Sequence, residues 1–148
     1  MKRRLYEMAD CIFCKIKDQE IPNYKVYEDD KVYAFLDMSQ VTKGHTLIIP
    51  KKHVSDIFEY DDQLAMDLST RIPKIARALR TAFPEMEGMN IINNNGEVAY
   101  QSVFHSHVHL IPRYGKEDDF SMHFGDHSEQ CSQDEMTQTA QIIKAQVN

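Results

Sequence analysis

No run of apolar residues in this chain approaches the roughly 20 needed to cross a bilayer, so no membrane span is expected. Lys2, Arg3 and Arg4 could open a secretory leader, but Glu7 and Asp10 interrupt the next stretch, and no apolar segment forms. Positive charge is in short supply. The net charge of −6 argues against a nonspecific nucleic-acid binder, although a local site on an acidic protein can still take one small phosphate compound. Cysteine is scarce as well. Of three, Cys11 and Cys14 stand at C-x-x-C spacing and Cys131 lies far away. In the reducing cytoplasm, where we place the chain, this favours metal or redox use over a disulfide framework. Repeats, linkers and low-complexity tracts are lacking. The 148 residues, 42% apolar and 27% charged, suit one domain.

The periodicity predicts an α+β domain with an antiparallel five-stranded meander sheet. Asp10 can cap a short helix over Cys11–Lys17. Strands are expected at Lys25–Glu28, Val32–Asp37, Thr46–Ile49, Met89–Asn93 and Ser102–Ile111. A long helix over Asp61–Phe83 carries Leu64, Leu68, Ile72, Ile75, Leu79 and Phe83 at spacings of three and four, one buried stripe. Pro73 inside it should kink it at a cost of about 3 kcal/mol. The core spans about 11–114, followed by an irregular acidic segment over 115–131. A last helix over 132–147 is announced by the capping box of Ser132 and Glu135.

Val103-Phe104-His105-Ser106-His107-Val108-His109-Leu110-Ile111 is the most informative segment. Read as a strand, it places His105, His107 and His109 on one face, with neighbours roughly 6.6 Å apart. The outer two can then flank a group bound at the middle one. A neutral imidazole has a lone pair that can attack phosphorus, and an ordinary pKa near 6.5 keeps it neutral at working pH. A covalent intermediate would divide one hard displacement into two easier ones. A structural role for the row, or a His-x-His metal pair, are the alternatives.

This pattern resembles the signature of the histidine-triad (HIT) family, three histidines alternating with apolar residues. Asn94-Asn95-Gly96, Gln101-Ser102-Val103-Phe104, the segment Gly44–His53 and Cys11-Ile12-Phe13-Cys14-Lys15-Ile16 resemble it too, in family order and in the manner of its Hint-like bacterial branch. The resemblance implies that His107 is the nucleophile of a hydrolase acting on purine nucleoside monophosphate derivatives, phosphoramidates above all. It implies that His109, Asn94, Gln101 and Ser102 contact the phosphate or leaving group, and that His45 supports the site. Asp37 would bind the ribose hydroxyls. Phe13, Ile16, Phe35 and Leu47 would wall the base pocket, or else be ordinary core. An edge-paired homodimer is implied. So is a structural zinc held by Cys11, Cys14, His53 and His105, against the alternative of two buried reduced cysteines.

Two positions depart from the family. Ser106 stands where an apolar residue is usual and should change packing only. Tyr100 stands where relatives usually have Gly, and should reshape the leaving-group side. Dinucleoside polyphosphate cleavage, as in the fragile-histidine-triad branch, and a nucleotide- or zinc-binding interaction protein are the rival functions.

Overall fold

The computed structural model describes residues 10–147; the basic start weighed as a leader lies outside them. The elements are α1 (Ile12–Lys17), β1 (Lys25–Glu28), β2 (Val32–Leu36), β3 (Thr46–Pro50), α2 (Asp62–Ala82), β4 (Gly88–Ile92), β5 (Val108–Arg113) and α3 (Gln133–Lys144). Boundaries lie close to those expected, with one exception that matters. The fifth strand starts at Val108, six residues later than its pattern suggested. Residues 101–107 form an irregular segment ahead of it.

The five strands make one antiparallel sheet in the order β1-β2-β3-β5-β4. A simple meander would have placed β4 beside β3. Instead α2 carries the chain over to the outer edge, and β5 returns between the two. The last strand is therefore interior, flanked by β3 and β4, which holds its side chains from both sides.

Both faces of the sheet's centre are covered. Leu68, Ile75 and Leu79 of α2 pack with Val32, Ala34, Ile48 and Leu110 on one side. On the other, α1 lays Phe13, Cys14 and Ile16 against Tyr33, Phe35, Leu47 and Ile49. This explains why β2 and β3 read as continuous apolar runs. Asp61 caps α2, its side chain accepting from the Leu64 N–H, and Pro73 is accommodated inside the helix without ending it. Cys11, and not Asp10, holds the N-cap position of α1, and it makes no side-chain capping bond there.

From Lys116 onward the chain is almost entirely exposed. Its final helix has both halves of the expected capping box, yet no residue of it is buried. Among the described residues no helix is long and apolar enough to cross a membrane.

Candidate functional site

The irregular segment before β5 turns the histidines in different directions. The expected row of three does not form, because His105 and His107 precede the strand and only His109 lies within it. Four groups hold the segment. Ser106 N–H donates to Val54 O at 2.7 Å. The Ser106 hydroxyl, fully buried, meets Tyr60 Oη at 2.7 Å and Asn93 Nδ2 at 3.4 Å. Asn93 Nδ2 also donates to His107 O at 2.8 Å. Gln101 is buried with its amide spent internally: Oε1 accepts from Gly96 N–H, and Nε2 donates to Ser55 O and Val103 O. Gln101 thus secures the loop, with both ends of its amide engaged within the chain. Ser106, expected to alter packing alone, is a bonding member of the scaffold. Asn93 and Tyr60 were missed; only their distant partner Ser106, polar where an apolar residue is usual, hinted at them.

His105 points away from its neighbours into a cluster with Cys11, Cys14 and His53, whose four ligand atoms lie within 4.8 Å of one another. Its Nδ1 is 3.4 Å from Cys11 Sγ and 3.5 Å from Cys14 Sγ, and His53 Nδ1 is 3.4 Å from Cys14 Sγ. The His105 Nε2–H donates to Pro50 O at 2.8 Å, which leaves the Nδ1 lone pair aimed at the sulfurs. Burial depresses the pKa of His105 to about 4. Burial, then the neighbouring Cys11, pushes the Cys14 thiol up to about 12. Both ring and thiol are thereby set neutral in the absence of a cation.

His107 is the mirror case. Its Nδ1–H donates to the His105 carbonyl at 2.8 Å, which fixes the proton there and leaves Nε2 as a lone pair. The ring is 3% exposed and meets Phe13 edge-on at 5.0 Å. Among the described residues Nε2 makes no hydrogen bond, and the sole buried, unpartnered side-chain polar atom is His45 Nδ1. Burial lowers the His107 pKa, with the His105 carbonyl opposing.

The His109 ring lies 5.0 Å from that of His107 and stacks on His45 at 5.2 Å. Register with Leu47 in β3 and Ile92 in β4 fixes its backbone. His45 Nε2 and His109 Nδ1 are 2.9 Å apart, and Asp37 Oδ2 lies 3.7 Å from the same His45 nitrogen. A carboxylate beside Nε2 favours the proton on it. His45 then donates to His109 Nδ1, so the His109 proton sits on Nε2. This also spares the structure a buried orphan N–H at His45 Nδ1, which becomes a lone pair. Burial brings His109 to about pKa 4 and lowers His45 as well. Gly44 makes the placement of His45 possible. Its φ of +87° is a left-handed conformation, and a Cβ there would come within 2.6 Å of the Phe83 ring.

The remaining expected residues are spread around these clusters. Asp37 Oδ1 accepts from the Ser39 N–H and hydroxyl, and burial is outweighed by these bonds so that its pKa is lowered. Asn94 is close to the Tyr100 carbonyl, its Nδ2 at 3.5 Å. Ser102 is exposed and lines a cavity with Cys11 and Val103. Phe13, Ile16, Phe35 and Leu47 belong to one buried cluster, each at most 8% exposed, and so serve as core.

The arrangement offers a lone pair from His107 and a hydrogen-bond donor from His109 on adjacent rings, with a separate thiol–imidazole cluster behind them. The HIT domain model matches residues 18–116. Protein hit of Bacillus subtilis is 52% identical over 134 residues, which is 90% of this chain and 92% of that one. The adenosine 5′-monophosphoramidase HNT1 of Candida albicans is 42% identical over 108 residues, 71% of each chain. The crystal structure of a Bacillus subtilis HIT-family protein superposes with a TM-score of 0.90 at 50% identity, covering 94% of this chain and 98% of that one. A zinc-bound histidine triad family protein from Mycobacterium smegmatis gives 0.71 at 32% identity, covering 94% and 99%. On matched domain, sequence identity and shared architecture together, the chain belongs to the HIT family.

Proposed function

We propose that the protein hydrolyses purine nucleoside 5′-phosphoramidates through a nucleotidyl group carried on His107. The observation that carries the reading is the bond from His107 Nδ1–H to the His105 carbonyl, which leaves Nε2 as a lone pair with no hydrogen bond among the described residues. Kinship with adenosine 5′-monophosphoramidases of several yeasts supports a nucleotide hydrolase.

His107 Nε2 attacks phosphorus, the N–P bond to His107 forms, and the P–N bond to the amine breaks as its nitrogen takes up a proton from solvent water, which the later attack of water returns to solvent. The His109 Nε2–H donates to a phosphoryl oxygen as charge develops, its direction enforced by His45 and Asp37. Water then displaces His107, releasing the nucleoside monophosphate and restoring the ring. Ser102 and Asn94 stand at the leaving side. Asp37 retains Oδ2 for a ribose hydroxyl, and the Phe13–Leu47 cluster forms the apolar backing toward the base.

The cysteine–histidine cluster fits zinc. Four N and S donors make a closed structural set, and the S···N separations of 3.4 and 3.5 Å approach the about 3.6 Å expected across a tetrahedral ion. Zinc there would hold both thiols as thiolates and join α1 to the segment before β5. We further propose a homodimer paired through a sheet edge, and a cytoplasmic location; the dimer is read by light scattering.

The decisive assay supplies adenosine 5′-phosphoramidate to wild type and to His107→Asn. AMP release should fall by at least about a thousandfold in the variant, with its circular dichroism intact. Comparable turnover by His107→Asn would overturn the mechanism. Faster cleavage of a diadenosine polyphosphate by wild type would move the protein to that substrate class.

A further inference from the structure

We propose that Gln40 is a positioning residue for the reaction, its side-chain amide holding Asp37 and His45 at the separation from which they direct His109. The inference rests on the phosphoramidate reading and adds to it a residue that touches no substrate.

The paired ladder of β2 and β3 ends at Leu36 and Thr46. Asp37 and His45 are the next pair outward, at the mouth of the loop that joins the two strands. Residues opposite one another point to the same face, which is how a carboxylate comes to stand beside an imidazole here. One backbone bond joins this pair directly, from the Asp37 N–H to His45 O at 2.9 Å. The side-chain contact that it supports is slack: Asp37 Oδ2 lies 3.7 Å from His45 Nε2, beyond hydrogen-bond distance. A small parting of the two backbones would remove the carboxylate that sets the proton on His45, and with it the bond to His109 Nδ1.

Gln40 opposes that parting. Its Nε2 donates to Asp37 O at 2.7 Å and to His45 O at 2.8 Å, so one amide nitrogen bridges the two residues. Its Oε1 accepts from the N–H of Gly44, the neighbour of His45, at 2.9 Å. Among the described residues the amide is spent on these three partners and no others. Gln40 sits at φ +42°, left-handed backbone that a residue with a side chain adopts only at a cost. The strained residue is the one whose side chain closes the loop mouth.

The far end of the loop is anchored separately. Thr42 Oγ1 donates to Pro112 O at 2.6 Å, and Tyr114 Oη donates to Lys43 O at 2.7 Å. Neither side chain bonds Asp37 or His45. The anchor of the loop and the bridge across its mouth can therefore be cut independently.

The test compares Gln40→Ala, Gln40→Gly and Thr42→Val with wild type on adenosine 5′-phosphoramidate. Glycine takes the left-handed conformation freely, so Gln40→Gly should melt at a higher temperature than Gln40→Ala. Both should nevertheless lower kcat by about tenfold. Thr42→Val should lower the melting temperature and leave kcat within about twofold of wild type, which separates loss of the bridge from loss of stability. In a His45→Leu background, where the path to His109 is already cut, Gln40→Gly should lower kcat by no more than about twofold further. Proton–nitrogen correlation spectra of protein labelled at histidine give a readout free of turnover: His109 should be a single Nε2–H tautomer in wild type and a mixture in Gln40→Gly. A kcat for Gln40→Gly within about twofold of wild type, an equal kcat loss in Thr42→Val, an undiminished effect in the His45→Leu background, or an unchanged His109 spectrum in Gln40→Gly would overturn the inference and leave the hydrolase reading standing. Absence of AMP release by wild type would overturn the hydrolase reading itself, and the His109 spectra would still test what Gln40 holds in place.

Discussion

The two histidine clusters are built from the same side chain and end in opposite chemistry. In the first, His105 and His53 meet two thiols in a closed, buried group with every donor turned inward. In the second, His45 stands between His109 and a single carboxylate, and one nitrogen of His109 is left over. Imidazole is versatile because its two nitrogens are set independently. What decides the role is the partner of the nitrogen that does not do the work: Pro50 O for His105, the His105 carbonyl for His107, and His45 for His109.

If the contrast is real, damage to the two clusters should separate cleanly. Cys14→Ser should abolish metal binding, taking elemental analysis from one zinc per chain to none. It should also cost about 3 kcal/mol or more of stability, read as a fall in denaturant midpoint. His45→Leu should do the reverse, lowering kcat by about ten- to a hundredfold with a much smaller change in midpoint, because it removes the partner that directs His109. Equal stability losses in the two variants would erase the distinction. Ser106→Ala sharpens it by testing the scaffold between the clusters. It deprives Tyr60 and Asn93 of a buried partner and should cost about 1–2 kcal/mol in thermal unfolding.

The smallest effects come from pH. His105 and His109 have folded-state pKa values of about 4, while the unfolded chain takes up those protons near 6.5. Between these values the unfolded chain binds more protons, so stability falls as pH drops from 7 to 5, seen as a lower melting temperature. Because burial also lowers His107, the acid limb of kcat/KM should lie below pH 6.5. A limb above that value would mean the neutral ring is not the reactive form.

Much of this is legible in the order of residues alone. The 3.6-residue stripe from Leu64 to Phe83 marks the long helix, and the Ser132–Glu135 box marks the start of the last one. The pairing of Cys11 and Cys14 with His53 and His105 comes only through the family resemblance, and those four do meet in the fold. What alternation misjudges is residues 101–107. Period-two patterning there looks like strand, but the side chains answer to different partners: His105 to thiols and Pro50, Ser106 to Tyr60 and Asn93, Gln101 to its own loop. Tertiary hydrogen bonds of this kind leave no local periodic trace. The strand order is hidden for a similar reason, since nothing in β4 or β5 alone says which takes the edge.

His105 is the residue whose ring and whose carbonyl serve different neighbours. The ring lies among sulfurs contributed by the first helix and its cap, while the backbone oxygen of the same residue accepts a hydrogen bond from His107 Nδ1–H. A shift of the backbone at His105 would disturb both contacts at once. The backbone that orients His107 is therefore tied, through one residue, to Cys11 and Cys14 some ninety positions earlier in the chain.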